Sequence, residues 1–537
     1  MILYRIIGRR RKSMKKDTSH VIKRAENFQV ILIGEGLIVG AVAGLIVLLY
    51  RILLGRAGIW LSQILTFVEG STIKIIAWFA VLALLAWIVS KLVDLEPMIS
   101  GSGIPQLEGE MTGKIKQVWW RVLPTKFIGG FLALMGGLAL GREGPSIQLG
   151  AMAGKGISRA LDRGKTEEKF LLTCGASAGL SAAFHAPLAG VMFSLEEVHK
   201  NFSVSVLISV MTASLTADYI SANFLGIESV FQFDIGHVLP QNYYGLIVIL
   251  GVILGVMGAF YNWFTLYVQS LYKKIPKIGT FGKLLIPFSM AGILGLMMPQ
   301  VLGSGHNLVE SLTSHEYLFG MVVLIFVVRF IFSAVSFGSG APGGIFFPLL
   351  VLGAFIGGIF GMIGVKVFGM NPDYINNFVL LAMAGYFTAI VRAPLTGIIL
   401  IFEMTGSVSQ MLSLSVISIV AYIVATLMKS KPIYESLLER LLEKNGEPAP
   451  KERGEKILDQ FSVMFGSPVA NKKIQDIQWP ENCLLVAIQR GGEEIIPRGK
   501  TILKPSDIIV TMTDERDSGV VYDRMENLCK ENTSHIL

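Results

Sequence analysis

Between residue 27 and about residue 428 the chain is almost unbroken oil, and the apolar runs are of two kinds. Those at 30–54, 73–93, 203–225, 243–268 and 317–337 are long and reach the roughly 20 residues that cross a bilayer. Those at 127–140, 146–160, 171–198, 344–367 and 377–403 are short or interrupted by glycine and proline. With no water at membrane depth, irregular backbone survives only where protein or an internal cavity surrounds it. The expected fold is therefore an all-α polytopic membrane protein, a bundle whose broken helices line an inner pathway.

The charges agree. Of 537 residues, 16% are charged and 52% hydrophobic, against about 25% charged in soluble domains. The net charge of +8 does not imply nucleic acid. The basic residues gather between Arg9 and Lys16 and in short loops, as cytoplasmic segments do under the positive-inside rule. Residues 1–26 are too charged for a signal peptide and are expected to stay in the cytoplasm. Cys174, Cys483 and Cys529 are scattered and form no metal or disulfide pattern. No nucleophile–base set is visible, so a transporter is expected rather than an enzyme.

An internal repeat orders the motifs. Gly101-Ser-Gly103 recurs as Gly303-Ser-Gly305, Gly141-Arg-Glu-Gly-Pro145 as Gly344-Ile-Phe-Phe-Pro348, and His185-Ala-Pro-Leu-Ala-Gly190 as Arg392-Ala-Pro-Leu-Thr-Gly397. Glu196 falls opposite Glu403. Lys114, Lys116, Arg121 and Lys126 follow the first Gly-Ser-Gly, whereas the second is followed by Glu310 and Glu316 and no Lys or Arg before Arg329. The halves, about 27–225 and 243–428, are therefore expected to be inverted, an arrangement that places transport sites at the midplane between them.

Five positions carry chemistry. Glu143 is a carboxylate in an apolar stretch, and intramembrane acids mark ion paths or proton relays by default; as a chain neighbour, Arg142 is a poor helical partner for it. Ser102, between glycines, offers a hydroxyl beside the free amides of a helix start, although a tight turn would need the same glycines. Gly338 to Pro348 contains no ionisable side chain, so its chemistry rests on backbone amides, those of Ile345 and Phe346 first. In the pair Glu196-Glu197, the repeat gives Glu196 a structural counterpart and leaves Glu197 as a proton acceptor near the cytoplasmic edge. Tyr434 lies just past the last span, where a phenol either closes the inner end of a path or anchors the interface.

Together, GSGIP (101–105), GREGP (141–145), GIFFP (344–348) and Lys431-Pro-Ile-Tyr434 resemble the CLC family of chloride channels and chloride/proton antiporters over roughly residues 27–440. The resemblance implies that the hydroxyls of Ser102 and Tyr434 contact a central chloride. Backbone of Gly103, Ile104, Arg142, Glu143, Gly144, Ile345, Phe346 and Phe347 would complete the anion sites. Glu143 would be the gating carboxylate, and Glu197 the inner proton-transfer glutamate of the antiporter branch. That branch implies exchange of chloride for protons by a homodimer, with no cofactor; the alternative is a passive voltage- or pH-gated chloride channel. No TVGYG-like carbonyl filter supports a potassium path.

After a linker at 441–455, residues 456–537 alternate in short apolar runs, among them CLLVAIQR, a Gly491-Gly492 turn and IIVTMT. They predict a small, β-rich α/β cytoplasmic domain. It resembles the TrkA-C lobe of potassium-transport regulators, which implies dimerisation and a possible small regulatory ligand.

Overall fold

The computed structural model describes residues 28–200, 202–226, 230–231, 238–275, 278–314, 317–406, 408–444, 456–491, 493–514 and 517–530. The expected cytoplasmic segment 1–26, and the loop residues Glu316 and Gly492, lie outside these. The chain divides into two compact units at Asn445 and Gly446.

In the first unit two sets of helices run in the same order. The first set is α1 (Phe28–Val68), α2 (Thr72–Leu95), α3 (Ile104–Met111), α4 (Trp119–Met135), α5 (Glu143–Ala160), α6 (Lys165–Phe184), α7 (Pro187–Phe193) and α8 (Val204–Leu225). The second is α9 (Tyr244–Lys273), α10 (Thr280–Met297), α11 (His306–Thr313), α12 (Phe319–Gly338), α13 (Phe346–Phe368), α14 (Ile375–Val391), α15 (Pro394–Thr405) and α16 (Met411–Leu427), and α17 (Ile433–Lys444) follows. Helix α17 takes the first four residues of the expected linker; residues 445–455 lie outside the described ones. The expected runs 171–198 and 377–403 are each two helices. Their breaks fall at His185 (φ 55°) and Arg392 (φ 74°), left-handed caps each followed two residues later by a proline that starts the next helix.

The repeat extends to single contacts. Helices α3 and α11 both have eight residues, and each starts after a glycine in the left-handed region, Gly103 at φ 93° and Gly305 at φ 94°. Gly141 N–H donates to Gly344 O at 2.7 Å and Gly344 N–H to Gly141 O at 2.8 Å, an antiparallel bridge between equivalent residues. Antiparallel exchange between equivalents defines a local two-fold, the geometry of inverted halves.

Each half also completes a helix start in the other. The carboxylate of Glu403, near the end of α15, accepts from Leu188 N–H and Ala189 N–H in the first turn of α7 at 2.9 and 2.7 Å. Glu196, in the π-helical turn Ser194–His199, accepts from Leu395 N–H and Thr396 N–H in the first turn of α15 at 3.3 and 2.9 Å. These amides have no acceptor within their own helices, so the two glutamates act as caps exchanged between repeats.

Eight of the described helices are long and apolar enough to cross a membrane. Their most apolar windows are 28–44% buried, except 78% for α13 and 94% for the stretch ending in α14. Those two therefore form the centre, and the rest present apolar side chains such as Ile73 and Phe224 outward. Close packing of α5 on α6 depends on small residues: a Cβ added at Gly150, Gly154, Gly175 or Gly179 would strike backbone of the facing helix.

The second unit is an antiparallel sheet of order β1-β4-β2-β3, with β1 (Lys456–Ser462), β2 (Cys483–Arg490), β3 (Glu493–Ile495) and β4 (Ile508–Asp514). Helix α18 (Ser518–Cys529), which the alternating runs did not announce, packs Val521, Met525 and Cys529 into a core with Phe461, Ile488 and Ile509.

Candidate ion pathway

Helix starts converge at the centre of the first unit. The first intrahelical bonds of α3, α5 and α13 are Leu107 N–H to Gly103 O, Ser146 N–H to Arg142 O and Leu349 N–H to Ile345 O. The amides before them have no helical acceptor, and Pro105, Pro145 and Pro348 leave one fewer orphan donor in each first turn. The starts touch: a Cβ at Gly144 would lie 2.7 Å from Ser102 O, and one at Gly344 would lie 3.1 Å from Gly144 N. Ser102 is buried, and its Oγ accepts weakly from Ile104 N–H at 3.3 Å. Aligned amides at several helix N-termini form a positive concavity that suits an anion.

Glu143 is fully buried at the first position of α5, and neither carboxylate oxygen accepts a well-formed hydrogen bond among the described residues. The side chain folds back over Gly141, where any Cβ would collide with Oε2 and stand 3.2 Å from Phe347 N. The acid thus lies against the amides of α13. Arg142 caps the helix rather than standing within it, and its Nε comes to 3.8 Å from Glu143 Oε1. The pair is closer than helical spacing suggests, yet beyond hydrogen-bond range.

Tyr434, the second residue of α17, is buried, its hydroxyl has no hydrogen-bond partner among the described residues, and it lies within electrostatic reach of Glu197, Glu143 and Glu108. Glu197 is buried in the π-helical turn after α7 and makes a side-chain contact with Glu108 of α3; Lys200 lies within electrostatic reach of both, Glu196 of Glu197 and Glu435 of Glu108. Phe346 packs its ring on Phe184, Phe193 and Phe387 at centroid separations of 5.6, 5.7 and 4.7 Å. Those contacts fix the backbone of the Gly344–Pro348 motif.

Three sets of supporting residues are absent from the sequence-based list. Lys126, fully buried on α4, donates to Ile99 O and Gly101 O at 2.9 and 2.6 Å. Arg329 on α12 does the same for the loop before α11, with Gly303 O and Ser304 O at 2.6 and 2.5 Å and Val301 O as a third acceptor. Gln148 of α5 lies behind Gly103 and donates to Met98 O and Gln117 Oε1 at 2.9 and 2.7 Å, joining a buried Glu110–Lys155 ion pair. Glu108 is the third, brought to Glu197 only by folding. The separation of 203 between Lys126 and Arg329 equals that of the GREGP and GIFFP motifs, a signal that could have found that pair.

Inverted halves, central broken helices and a buried acid among helix starts define a membrane transport protein of the inverted-repeat class. Residues 81–426 match the voltage gated chloride channel family and residues 459–524 the TrkA-C domain. The chain belongs to the CLC family and carries a TrkA-C domain behind its membrane unit. It is similar to the H(+)/Cl(-) exchange transporter ClcA of Vibrio cholerae serotype O1 (strain M66-2), 38% identical over 419 residues, covering 74% of this chain and 89% of that protein. ClcA of Citrobacter koseri is 35% identical over 431 residues, covering 78% and 90%. Among solved structures, a slow cyanobacterial Cl-/H+ antiporter aligns with a TM-score of 0.74 at 30% identity, covering 78% of this chain and 99% of that one. A CLC-type fluoride/proton antiporter aligns with a TM-score of 0.64 at 20% identity, covering 75% and 97%, and shares the fold. The chain is accordingly a multi-pass membrane protein of a transport family rather than an enzyme.

Proposed function

We propose that this protein exchanges chloride for protons across the cell membrane through one pathway per subunit, gated by Glu143. The observation that carries the reading is a buried carboxylate that accepts no well-formed hydrogen bond among the described residues and is set against helix-start amides. A chloride ion and an ionised Glu143 compete for the same positive concavity. Protonation of the acid removes its claim, and departure of the proton restores it, so occupancy by anion and by proton alternate.

In this reading Ser102 and Tyr434 offer hydroxyls to the central anion. Backbone of Gly103, Ile104, Arg142, Gly144, Ile345, Phe346 and Phe347 surrounds the sites. Glu197, with Glu108 against it, receives protons from the cytoplasmic side and hands them toward Glu143. Both termini are cytoplasmic, the protein is a homodimer, and the TrkA-C domain takes a small regulatory ligand. Purified protein in liposomes tests the central claim. Under separate chloride and pH gradients the reversal potential should respond to both, with protons moving against chloride. Chloride flux without opposed proton transport would reveal a passive channel instead.

A further inference from the structure

The end of the pathway beyond Glu143 holds a second titratable side chain that the exchange cycle does not use. His306 opens α11, directly after the left-handed Gly305. Its ring stacks on Phe231 at 5.1 Å and 22° and lies 6.2 Å from the ring of Phe347. Phe231 in turn stacks on Phe347 at 5.8 Å, and it is the Phe347 amide that borders Glu143. The imidazole therefore stands one ring from the gate.

Charged groups reach His306 from three elements: Glu310 on its own helix, Arg142 ahead of α5 and Arg51 on α1. Glu310 Oε1 lies 3.2 Å from Nε2, while Nδ1 is buried and has no hydrogen-bond partner among the described residues. Arg51 donates to Ala182 O at 3.2 Å, and Arg142 has only the distant contact to Glu143. Two guanidinium groups and an imidazole thus lie within electrostatic reach of one another beside the gate. A chloride ion demands no directed bonding; a positive potential at a low-dielectric mouth is enough to concentrate it and raise its rate of entry.

We propose that His306, with Arg51 and Arg142, forms a cationic collar that recruits chloride at the mouth beyond Glu143, and that protonation of His306 sets the strength of that collar. The inference rests on the reading of Glu143 as the gate, and the test separates the two. In full-length protein carrying Glu143→Ala, chloride efflux from liposomes is measured with the same pH on both sides. Burial, with Arg142 and Arg51 adding to it against Glu310, holds the His306 imidazole below its ordinary value of about 6.5, so efflux should rise about threefold on acidification through the range below that value. The rise should shrink at high salt. Adding His306→Gln should flatten the profile at the low, alkaline rate, and adding His306→Lys should flatten it at the high, acidic rate. A flat profile in Glu143→Ala alone would overturn the collar, as would a profile unchanged by either His306 substitution. Proton-coupled exchange persisting in Glu143→Ala would overturn the gate reading instead.

Discussion

At the scale of single residues, an acid and an anion seek the same helix starts. Replacing Glu143 with alanine leaves the concavity open at all times, so chloride flux should persist while proton coupling is lost. Parallel chloride and proton electrodes on a liposome suspension check this, and continued proton pumping would refute the role. Glu197→Gln keeps the side chain's size but cannot ionise, so chloride should still move while proton exchange falls away. Intact exchange would mean that another residue supplies the protons. A different carboxylate governs the second unit. Burial pushes Asp507 up, but the two-pronged bond from Arg490 at 2.8 and 2.7 Å and the Lys504 amide at 2.7 Å outweigh it and hold the acid below its usual range. A lowered folded value means the stabilisation is present above the unfolded value of about 3.9 and is lost as pH falls through the folded one. Asp507→Asn should therefore cost about 2–3 kcal/mol at neutral pH and much less in acid, read as faster hydrogen exchange of the β4 amides in the full chain.

At the scale of elements, the glycines between α5 and α6 set how close the helix bearing Glu143 can lie to its neighbour. Gly175→Ala pushes a methyl toward Gly150 O and should cost about 1–3 kcal/mol, seen as a lower melting temperature of the detergent-solubilised protein. Much of this level was legible in the sequence, because backbone chemistry can be performed by few residue types. The GSGIP, GREGP and GIFFP loops need glycine for close approach and proline for a missing donor, so composition betrayed them. The breaks at His185 and Arg392 were harder to place, since neither residue is a usual left-handed cap. Only the Ala-Pro that follows each marks where a helix restarts. The contact of Glu108 with Glu197 was not legible, for the two are separated by 89 positions and nothing local announces that a helix start and a π-helical turn will meet. The position of helix α18 was not legible for another reason: the alternating strands dominate the pattern of this unit, and only Val521, Met525 and Cys529 of the helix are buried.

At the scale of the whole molecule, duplication and inversion explain more than any single motif. Equivalent residues perform equivalent tasks in both halves: Gly103 and Gly305 turn the chain, Lys126 and Arg329 gather carbonyls, and Glu196 and Glu403 cap. The halves part company at the pathway, where only the first supplies an acid. Glu403→Ala should uncap α7 and cost about 1–2 kcal/mol, whereas Glu403→Gln, which keeps one acceptor, should cost less. Thermal unfolding of the two variants beside the parent protein distinguishes them.

The exchanged caps also have a consequence in time. Leu188 and Ala189 leave the ribosome well before the glutamate that will receive their amides, 215 and 214 positions later. At a synthesis rate of roughly 5–20 residues per second, the start of α7 waits on the order of ten to forty seconds for its acceptor. Until then the first half is an unfinished object in the membrane, with the helix leading into the Glu197 turn still uncapped. The pathway is therefore assembled only when the second copy of the fold arrives, so a chain that stops halfway holds only half of an ion path.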